Sequence, residues 1–422
     1  MQAESKHKFY VCRRNSDKCL ECGFCLENFI CPGMGKATIE RYETACIDCQ
    51  VCFSACPYEA VQRIIDIIPR REIKILVDGK EFLVPERITV KKALEFIGLE
   101  FGKFPNEAKI FAPCETGGCF ACSLLIDGEP KPACITPVHN GMEIKLELPD
   151  NFVPIRRISG FQPHPVGGVG TPWWIKQKGS YHHYIEVACF AHGCNLRCPQ
   201  CQNYTITYNN ITKPMTPHEA AATLTAYRNK YDVDRMAISG GEPTLNRKWL
   251  IEFFRELKRL NPDKEARFHL DTNATILTPD YVDELIEAGL TDIGPDLKGL
   301  RTETFMRITG IFDYSLAQKY LKNAWNITKY LIDNYYPEKI FVGIGIPYNP
   351  YLISLEELRE IGEKLASFDL EIQVCLLDYF PTFRRRNMKR PSPNQMKTAR
   401  KVLLETGLKT VLAQTEIGHI GP

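Results

Sequence analysis

The segment Gly193-Cys194-Asn195-Leu196-Arg197-Cys198-Pro199-Gln200-Cys201 contains three cysteines, with three residues between the first and second and two between the second and third. Thiolates in tight spacing of this kind are typical ligands of iron-sulfur clusters. Three ligands are one fewer than the irons of a 4Fe-4S cluster, so the fourth iron stays open to bind another molecule. The segment therefore predicts a reactive metal centre held by Cys194, Cys198 and Cys201.

A second informative stretch, Ser239-Gly240-Gly241-Glu242-Pro243, follows further along the chain. Alone it is a weak turn signal, but it comes at the next predicted strand end after the cysteine segment. Together the two stretches resemble the radical S-adenosylmethionine (SAM) superfamily, in which a three-cysteine cluster and a Gly-Gly-Glu strand end hold one SAM molecule. The resemblance implies that Gly240 and Gly241 let the backbone approach SAM and that Glu242 accepts its amino group.

Two further motifs, Asp271-Thr272-Asn273 and Asp296-Leu297-Lys298, follow the next two predicted strands. Either aspartate could be only a helix cap, because Asp is favoured at helix N-termini. The motifs also resemble those of the pyruvate formate-lyase activating enzyme family, which activates glycyl-radical enzymes. That resemblance makes Lys298 a partner of the SAM carboxylate, and it makes Asp271, Thr272 and Asp296 neighbours of a monovalent cation beside SAM.

The chain departs from this family at two positions. Gln200 stands where an aromatic residue usually precedes the last cysteine, and Ala274 replaces the glycine that follows Asp271-Thr272-Asn273. Neither position is a cluster ligand. The departures therefore leave the cluster prediction intact and put the identity of the substrate in doubt.

From residue 183 onward, apolar strands alternate with amphipathic helices. This rhythm predicts an α/β fold with a parallel sheet and outer helices, and six strands predict a partial (β/α)6 barrel of the radical SAM type. Ligands of such folds gather at the carboxyl ends of the strands, where the motifs above lie. The predicted strands are 184–188, 236–239, 268–272, 292–296, 340–346 and 372–377.

Residues 1–70 carry two further cysteine runs, each ending in Cys-Pro. The second run has the bacterial ferredoxin pattern, and the first is that pattern with two residues inserted. A zinc ribbon is the alternative, but it would need longer separations between ligand pairs. The ferredoxin resemblance implies two 4Fe-4S clusters in which the fourth cysteine of each run binds the other cluster. One cluster would use Cys19, Cys22, Cys25 and Cys56, and the other Cys46, Cys49, Cys52 and Cys31.

Residues 71–150 predict a second small α+β domain. A hairpin turns at Asp78-Gly79, a helix follows with Thr89 as its N-cap, and a closing strand spans 142–148. This order, with a cysteine loop between helix and closing strand, resembles the β-grasp 2Fe-2S ferredoxin domain, most closely that of succinate dehydrogenase and fumarate reductase iron-sulfur subunits. The implied cluster ligands are Cys114, Cys119, Cys122 and Cys134.

Residues 151–182 are dense in proline and glycine, which predicts a linker without a long helix or a central strand. The chain is thus predicted to hold a two-cluster ferredoxin domain at 1–70, a β-grasp domain at 71–150, this linker, and the barrel at 183–422. A length of 422 residues fits several domains.

The composition of the chain limits its partners and its cellular compartment. The net charge of +2 gives no field that would favour nucleic acid, and no run of 18 apolar residues predicts a membrane span. Most of the 18 cysteines lie in tight runs, which indicates metal binding in a reducing cytoplasm. Cys12, Cys189 and Cys375 are left over and are expected to be small buried apolar residues. The basic run at 384–386 is expected to be a solvated loop.

The sequence is consistent with three functions. The first is an activase that uses SAM to generate a glycyl radical on a partner enzyme. The second is a multiple-turnover radical SAM enzyme that modifies a small molecule, a nucleoside or a protein residue. The third, an electron-transfer subunit with a vestigial barrel, is disfavoured by the intact Cys194, Cys198, Cys201 and Glu242. The sequence favours the activase slightly, with the N-terminal clusters relaying electrons from a low-potential donor in an anaerobic cell.

Overall fold

The computed structural model describes residues 8–165, 167–174 and 185–422. Its contacts divide the chain into two compact units. The N-terminal unit comprises the residues up to Arg157 with His192–Asn195 and Asn203–Pro214, and the C-terminal unit comprises Ile158–Ala191, Leu196–Gln202 and Met215–Pro422. The four-part division predicted from the sequence is finer and stays a prediction. Its boundary at 182–183 and the first residue of the strand predicted at 184–188 lie outside the described residues.

The first part of the N-terminal unit contains only short elements. They are strand β1 (Tyr10–Arg14), helix α1 (Phe24–Glu27), a 3-10 helix (Glu43–Ala45), helix α2 (Val51–Ala55) and strand β2 (Val61–Ile65). β1 and β2 pair antiparallel, with Tyr10 opposite Ile65. Few large apolar side chains are buried here, among them Val11, Phe29 and Ile47. A segment this small is expected to depend on bound metal for its stability.

The second part of the N-terminal unit is a five-stranded sheet with one helix. Its elements are β3 (Glu72–Val77), β4 (Lys80–Pro85), α3 (Val90–Phe96), β5 (Phe101–Gly102), β6 (Ile110–Phe111), β7 (Ser123–Ile126), β8 (Glu129–Pro132) and β9 (Met142–Lys145). The sheet order is β4-β3-β9-β7-β8, and β3 runs parallel to β9. β5 and β6 form a separate pair.

The hairpin turn and the helix N-cap predicted for this part are confirmed. Asp78 and Gly79 both have positive φ, 47° and 77°, which is the backbone that a two-residue hairpin turn requires. The Thr89 side chain accepts a hydrogen bond from the Lys92 amide at 3.2 Å and so caps α3. The closing strand is shorter than predicted and ends at Lys145.

The C-terminal unit is built on an open ten-stranded sheet in the order β12-β10-β11-β13-β14-β15-β16-β17-β18-β19. Seven neighbours from β11 to β18 run parallel, and they include the six predicted strands in their predicted order. The strands are β10 (Arg156–Pro165), β11 (Ile185–Ala191), β12 (Pro214–Met215), β13 (Arg235–Gly240), β14 (Arg267–Thr272), β15 (Asp292–Pro295), β16 (Phe341–Tyr348), β17 (Gln373–Asp378), β18 (Val411–Thr415) and β19 (Gly418–Ile420).

Helices alternate with the parallel strands, as expected for a β/α fold. In the helix at 247–260, Trp249, Phe253 and Leu257 are buried at four-residue intervals, which is the apolar stripe of a helix that packs on one face. Helix α4 (Tyr204–Thr207) lies in the N-terminal unit. The helices described in the C-terminal unit are α5 (Pro217–Tyr231), α6 (Arg247–Leu260), α7 (Pro279–Ala288), α8 (Thr302–Thr309), α9 (Tyr314–Tyr335), α10 (Leu355–Ala366) and α11 (Pro393–Leu404). In the part of the chain that the structure describes, every helix is too short or too polar to span a membrane.

The segment predicted to be a linker differs from the expectation. β10 is a ten-residue strand that pairs antiparallel with β11, whereas the proline and glycine density argued against a strand inside the sheet. The pairing shifts register between Ser159 and Gln162, at the position of Gly160. Within the described residues, the neighbour of β10 on its other side is the two-residue β12, so Pro163 and Pro165 lie where few amide donors are required.

A network of buried charges lies within the sheet of the C-terminal unit. Arg235 Nη1 is 3.2 Å from Asp292 Oδ1, and Arg235 Nε is 3.5 Å from Glu186 Oε2. His269 bridges two carboxylates, with Nδ1 3.1 Å from Glu186 Oε2 and Nε2 3.1 Å from Asp271 Oδ1. Burial alone would lower the pKa of His269, but Asp271 and Glu186 raise it to about 10. His269 is therefore a buried imidazolium at neutral pH.

This network predicts a pH-dependent contribution to stability. Because the folded pKa of His269 lies above its usual 6.5, the contribution is complete below pH 6.5 and is lost as the pH rises to about 10. We expect His269→Gln to lower the free energy of unfolding by a few kcal/mol at pH 7 and to flatten its decline between pH 6.5 and 10. Anaerobic denaturant titrations at several pH values measure this decline.

The exposed His218 supplies the control, because His218→Gln removes an imidazole from a helix surface. Its stability profile should follow that of the wild type. The prediction would be contradicted if the free energy of unfolding declined equally with pH in His269→Gln and in the wild type between pH 6.5 and 10.

Candidate active site

The candidate site residues of the C-terminal unit lie at the carboxyl ends of successive parallel strands. Cys198 and Cys201 follow β11, Gly240 ends β13 with Gly241 and Glu242 after it, and Asp271 and Thr272 end β14. Asp296 and Lys298 come directly after β15. Since the carboxyl ends of parallel strands share one edge, the fold collects these groups as the sequence predicted.

Gly240 allows the ends of β11 and β13 to meet. It has a φ of 113°, and a Cβ at this position would lie 2.5 Å from the Ala191 nitrogen. The Gly241 amide donates a hydrogen bond to the Ala191 carbonyl at 2.7 Å. Gly240 therefore packs closely on β11, the strand that leads into the cysteine segment. This packing is separate from any contact that Gly240 makes with a ligand.

Glu242 is buried and joins two strand ends. Its Oε1 accepts hydrogen bonds from the hydroxyls of Thr244 and Thr272, each at 2.7 Å, and Oε2 accepts one from the Asn273 amide at 2.7 Å. Burial raises the pKa of Glu242 above its usual value, although these donors oppose the shift. The carboxylate is thus fixed in one orientation. The sequence motif alone did not predict Thr244 and Asn273 as partners of Glu242.

The loop after β14 takes an unfavourable backbone conformation. Ala274 occupies the position where the resembled family has glycine, and its φ is 56°. A left-handed conformation costs a residue with a Cβ about 1 kcal/mol relative to glycine. Ala274 is also fully buried. A glycine would adopt this left-handed conformation without the penalty, which explains the glycine of the family pattern. In this chain, Ala274 adopts the same conformation despite its Cβ.

Asp296 and Lys298 form an ion pair beside the cysteines. Burial raises the pKa of the Cys198 thiol to about 12, while Lys298 lowers it and the neighbouring Cys201 and Asp296 raise it further. Asp296 Oδ1 is buried and has no hydrogen-bond partner among the described residues. A buried carboxylate oxygen without a donor and a lysine next to two thiols fit a site that receives a charged ligand.

A second loop packs on the cysteine segment and was not found from the sequence. The buried Gln200 amide donates hydrogen bonds of 2.6 Å to the carbonyls of Tyr379 and Phe380, which follow β17. The amides of Arg384 and Arg385 both donate to the Pro199 carbonyl, at 3.0 and 3.2 Å. Only Arg386 of the basic run is exposed, so the expected solvated loop is instead packed at its first two residues.

The first cysteine of the radical SAM segment belongs to the N-terminal unit. His192–Asn195, which contains Cys194, clusters there, whereas Leu196–Gln202 clusters with the barrel. The Gly193 amide donates to the Thr207 carbonyl at 3.1 Å. Sequence spacing keeps Cys194, Cys198 and Cys201 within one short stretch, as an iron-sulfur cluster requires.

The eight cysteines of the two N-terminal runs separate into two cavities. Four line one cavity and four the other, and each cavity takes its fourth cysteine from the opposite run. This grouping supports the crossed ligand sets. Donors also face the thiols, with Arg41 Nη2 3.2 Å from Cys25 Sγ and the Ala60 amide 3.3 Å from Cys56 Sγ. The sets are Cys19, Cys22, Cys25 and Cys56 in one cavity, and Cys31, Cys46, Cys49 and Cys52 in the other.

Cys12 is buried as expected, but its surroundings were not foreseen. It lines the same cavity as Cys46 and Cys52, and its amide donates to Cys46 Sγ at 3.4 Å. Hydrogen bonds from the Cys12 thiol to these two cysteines raise its own pKa. Cys189 and Cys375 are fully buried in β11 and β17, in agreement with the prediction.

The four cysteines of the β-grasp part are buried together. Cys119 Sγ lies 3.1 Å from Cys114 Sγ, and Cys134 is within hydrogen-bonding distance of both Cys114 and Cys122. Amides of the loop face the sulfurs, since Thr116 donates to Cys114 Sγ at 3.5 Å. Four converging thiols with amide donors fit a small iron-sulfur cluster.

Comparison with known families agrees with this geometry. The model of the radical SAM superfamily matches residues 189–350, and the model of the 2Fe-2S iron-sulfur cluster binding domain matches residues 70–147. The first region contains the cysteine segment at 194–201 and the second contains the four cysteines at 114–134, while the two runs at 19–56 lie outside both.

Several curated relatives share parts of the chain. A Methanocaldococcus jannaschii protein named for glycyl-radical enzyme activation is 28% identical, over 45% of this chain and 72% of its own. A GTP 3',8-cyclase from Methanococcus aeolicus is 37% identical over 28% of this chain, and an AdoMet-dependent heme synthase from Methanosarcina barkeri is 32% identical over 30%. This chain spans only 38% and 35% of the last two relatives.

Solved structures that match part of the chain include Streptococcus suis SuiB bound to S-adenosylmethionine, with 14% identity and a TM-score of 0.37 over 51% of this chain and 43% of that chain. Another is anSMEcpe with bound AdoMet, with 16% identity and a TM-score of 0.33 over 52% of this chain and 58% of that chain. The chain therefore contains a radical SAM domain at 189–350, preceded by a 2Fe-2S iron-sulfur cluster binding domain at 70–147.

Proposed function

We propose that the protein reductively cleaves SAM and uses the resulting 5'-deoxyadenosyl radical to abstract hydrogen from a glycine of a partner enzyme. One observation carries the proposal. The three-cysteine segment and the charged groups Glu242, Asp296 and Lys298 follow β11, β13 and β15, which run parallel within one sheet. The bound 4Fe-4S cluster supplies one low-potential electron, and the remaining chemistry is binding, positioning and exclusion of water.

In this proposal the chain's own residues hold the two charges of the methionine part of SAM. Glu242 receives the ammonium group, and Lys298 receives the carboxylate after giving up its pairing with Asp296. Asp271, Thr272 and Asp296 would neighbour a monovalent cation. The proposal also assigns two 4Fe-4S clusters to the first two cysteine runs and a 2Fe-2S cluster to the third, with reduction by an external low-potential donor in the cytoplasm.

A glycyl-radical enzyme as the target is supported by the Asp271 and Asp296 motifs and by the relative named for glycyl-radical enzyme activation. The second candidate function is a multiple-turnover reaction on a small molecule, a nucleoside or a protein residue. It is favoured by the fused cluster domains, since a sustained electron supply suits repeated turnover. The relatives named for GTP cyclisation and heme synthesis also fit it.

The two functions predict different products. Reconstituted protein, dithionite and SAM are incubated anaerobically with size-fractionated native extract, and each fraction is examined by electron paramagnetic resonance (EPR). An activase gives a persistent glycyl-type doublet in a protein fraction, with about one 5'-deoxyadenosine per radical. Accumulation of 5'-deoxyadenosine over many turnovers without a stable radical would contradict the activase and support the second function.

Glu242→Gln tests the proposed ammonium contact. The variant keeps the shape of the side chain but loses its charge, so we expect SAM affinity to fall by about 30-fold or more, as when one partner of a buried charge pair is lost. SAM-induced change in the EPR signal of the reduced cluster measures affinity. Glu252→Gln on the exposed face of α6 is the control. Unchanged SAM affinity in Glu242→Gln at normal iron content would exclude this contact.

The crossed ligand sets predict which variants resemble one another. Cys56→Ser should damage the same 4Fe-4S signal as Cys22→Ser, and Cys31→Ser the same signal as Cys49→Ser, because each pair lines one cavity. Redox-poised EPR and iron analysis distinguish the signals, and Cys189→Ala is the control. If Cys31→Ser instead matches Cys22→Ser, each run binds its own cluster.

A further inference from the structure

Two glycines bring the third cysteine loop against the radical SAM segment, and both lie in the N-terminal unit. A Cβ on Gly118 would lie 2.5 Å from the Gly193 nitrogen and 2.6 Å from the His192 carbonyl carbon. A Cβ on Gly193 would lie 3.0 Å from the Cys119 nitrogen and 3.2 Å from Cys114 Sγ. The backbone next to Cys194 therefore touches a predicted 2Fe-2S ligand directly.

Hydrogen bonds fix this contact. The Arg157 amide donates to the Gly118 carbonyl at 3.1 Å, and the His192 amide donates to the Arg157 carbonyl at 3.1 Å. Arg157 Nε adds a bond of 3.3 Å to the Gly117 carbonyl. Arg157 thus lies between the two loops and binds both. The fully buried Arg156 supports the same segment through a 3.2 Å bond from Nη2 to the His192 carbonyl.

We propose that the Gly118–Gly193 contact is the entry point for electrons into the radical SAM site, with the 2Fe-2S loop as the immediate donor. This inference rests on the proposed function. One electron leaves the centre held by Cys114, Cys119, Cys122 and Cys134 and reduces the centre held by Cys194, Cys198 and Cys201. An external one-electron donor of the ferredoxin or flavodoxin class restores the first centre, and no proton transfer is needed.

The close packing explains why glycine occupies both positions. Electron tunnelling weakens steeply as the separation grows, and a side chain at either position would push the loops apart. Gly118 has an ordinary negative-φ backbone, so its conformation alone would tolerate alanine. Glycine is therefore required at position 118 by the close contact with Gly193, and not by a turn conformation.

A competing path begins in the first ferredoxin run. Phe24, next to Cys25, stacks on Tyr204 with ring centroids 5.8 Å apart, and Tyr204 lies three residues beyond Cys201 in sequence. This contact is made by two aromatic side chains that are not cluster ligands. At the Gly118–Gly193 contact, by contrast, the loop that carries the 2Fe-2S ligands packs directly on the residue before Cys194. The 2Fe-2S path is therefore the more direct of the two.

The test uses reconstituted full-length protein, photoreduced under anaerobic conditions with SAM present. Rapid-freeze EPR follows the decay of the reduced 2Fe-2S signal and the rise of the reduced 4Fe-4S signal. We expect a fast exchange phase in the wild type and its loss in Gly118→Ala, with unchanged iron and sulfide content. Gly167→Ala, where no atom of the described residues lies within 4 Å of the added Cβ, and Tyr204→Leu should both keep the fast phase.

Arg157→Gln provides a second variant in case Gly118→Ala does not fold, because it loosens the contact without adding volume. A wild-type fast phase in a folded Gly118→Ala or Arg157→Gln would overturn the proposal, as would its loss in Tyr204→Leu alone. The failure of the proposed function has a different signature. In that case dithionite-reduced wild type would not cleave SAM, although EPR relaxation would still show the 2Fe-2S centre close to a second paramagnet.

Discussion

The arrangement of the candidate site depends on close backbone contacts at glycines around the cysteine segment. In the C-terminal unit, a Cβ on Gly240 would lie 2.5 Å from the Ala191 nitrogen, and one on Gly310 would lie 2.5 Å from the Arg197 carbonyl. In the N-terminal unit, Gly118 makes the same kind of approach to Gly193. Because backbone atoms cannot rotate out of the way, larger residues here would displace the segment itself. The cysteine positions are thus set by neighbours that have no side chains.

Much of the fold could be predicted from local patterns. The turn at Asp78-Gly79 and the six parallel strands each follow from residues close together in sequence. β18 was missed because a five-residue apolar strand near the end of the chain has little flanking signal. β10 was missed because its prolines suggested a linker. Pairing along one side with β11 outweighed that local preference, and pairing of this kind is a tertiary effect.

The site was predictable where residue type and spacing determine the chemistry. Cysteine runs predict iron-sulfur ligands from sequence alone, but which cysteines share a cavity depends on the folded chain. The bonds from Gln200 to Tyr379 and from Arg157 to Gly118 join residues that are far apart in sequence. No local pattern encodes such pairs. Glu242 was identified by its motif, whereas its partners Thr272 and Asn273 became evident only when two strand ends were placed side by side.

The charges at the strand ends favour a zwitterionic ligand. Glu242 is a buried carboxylate, Lys298 is paired with Asp296, and Asp296 Oδ1 has no hydrogen-bond donor within the described residues. A purely anionic ligand would compete with Asp296 for Lys298 and leave Glu242 uncompensated, which is costly in a buried site. An α-amino acid group brings an ammonium for Glu242 and a carboxylate for Lys298 together, so binding adds no net charge to the interior. Asp296, released from Lys298, would then need a cation, and the neighbouring monovalent cation of the proposed function meets that need.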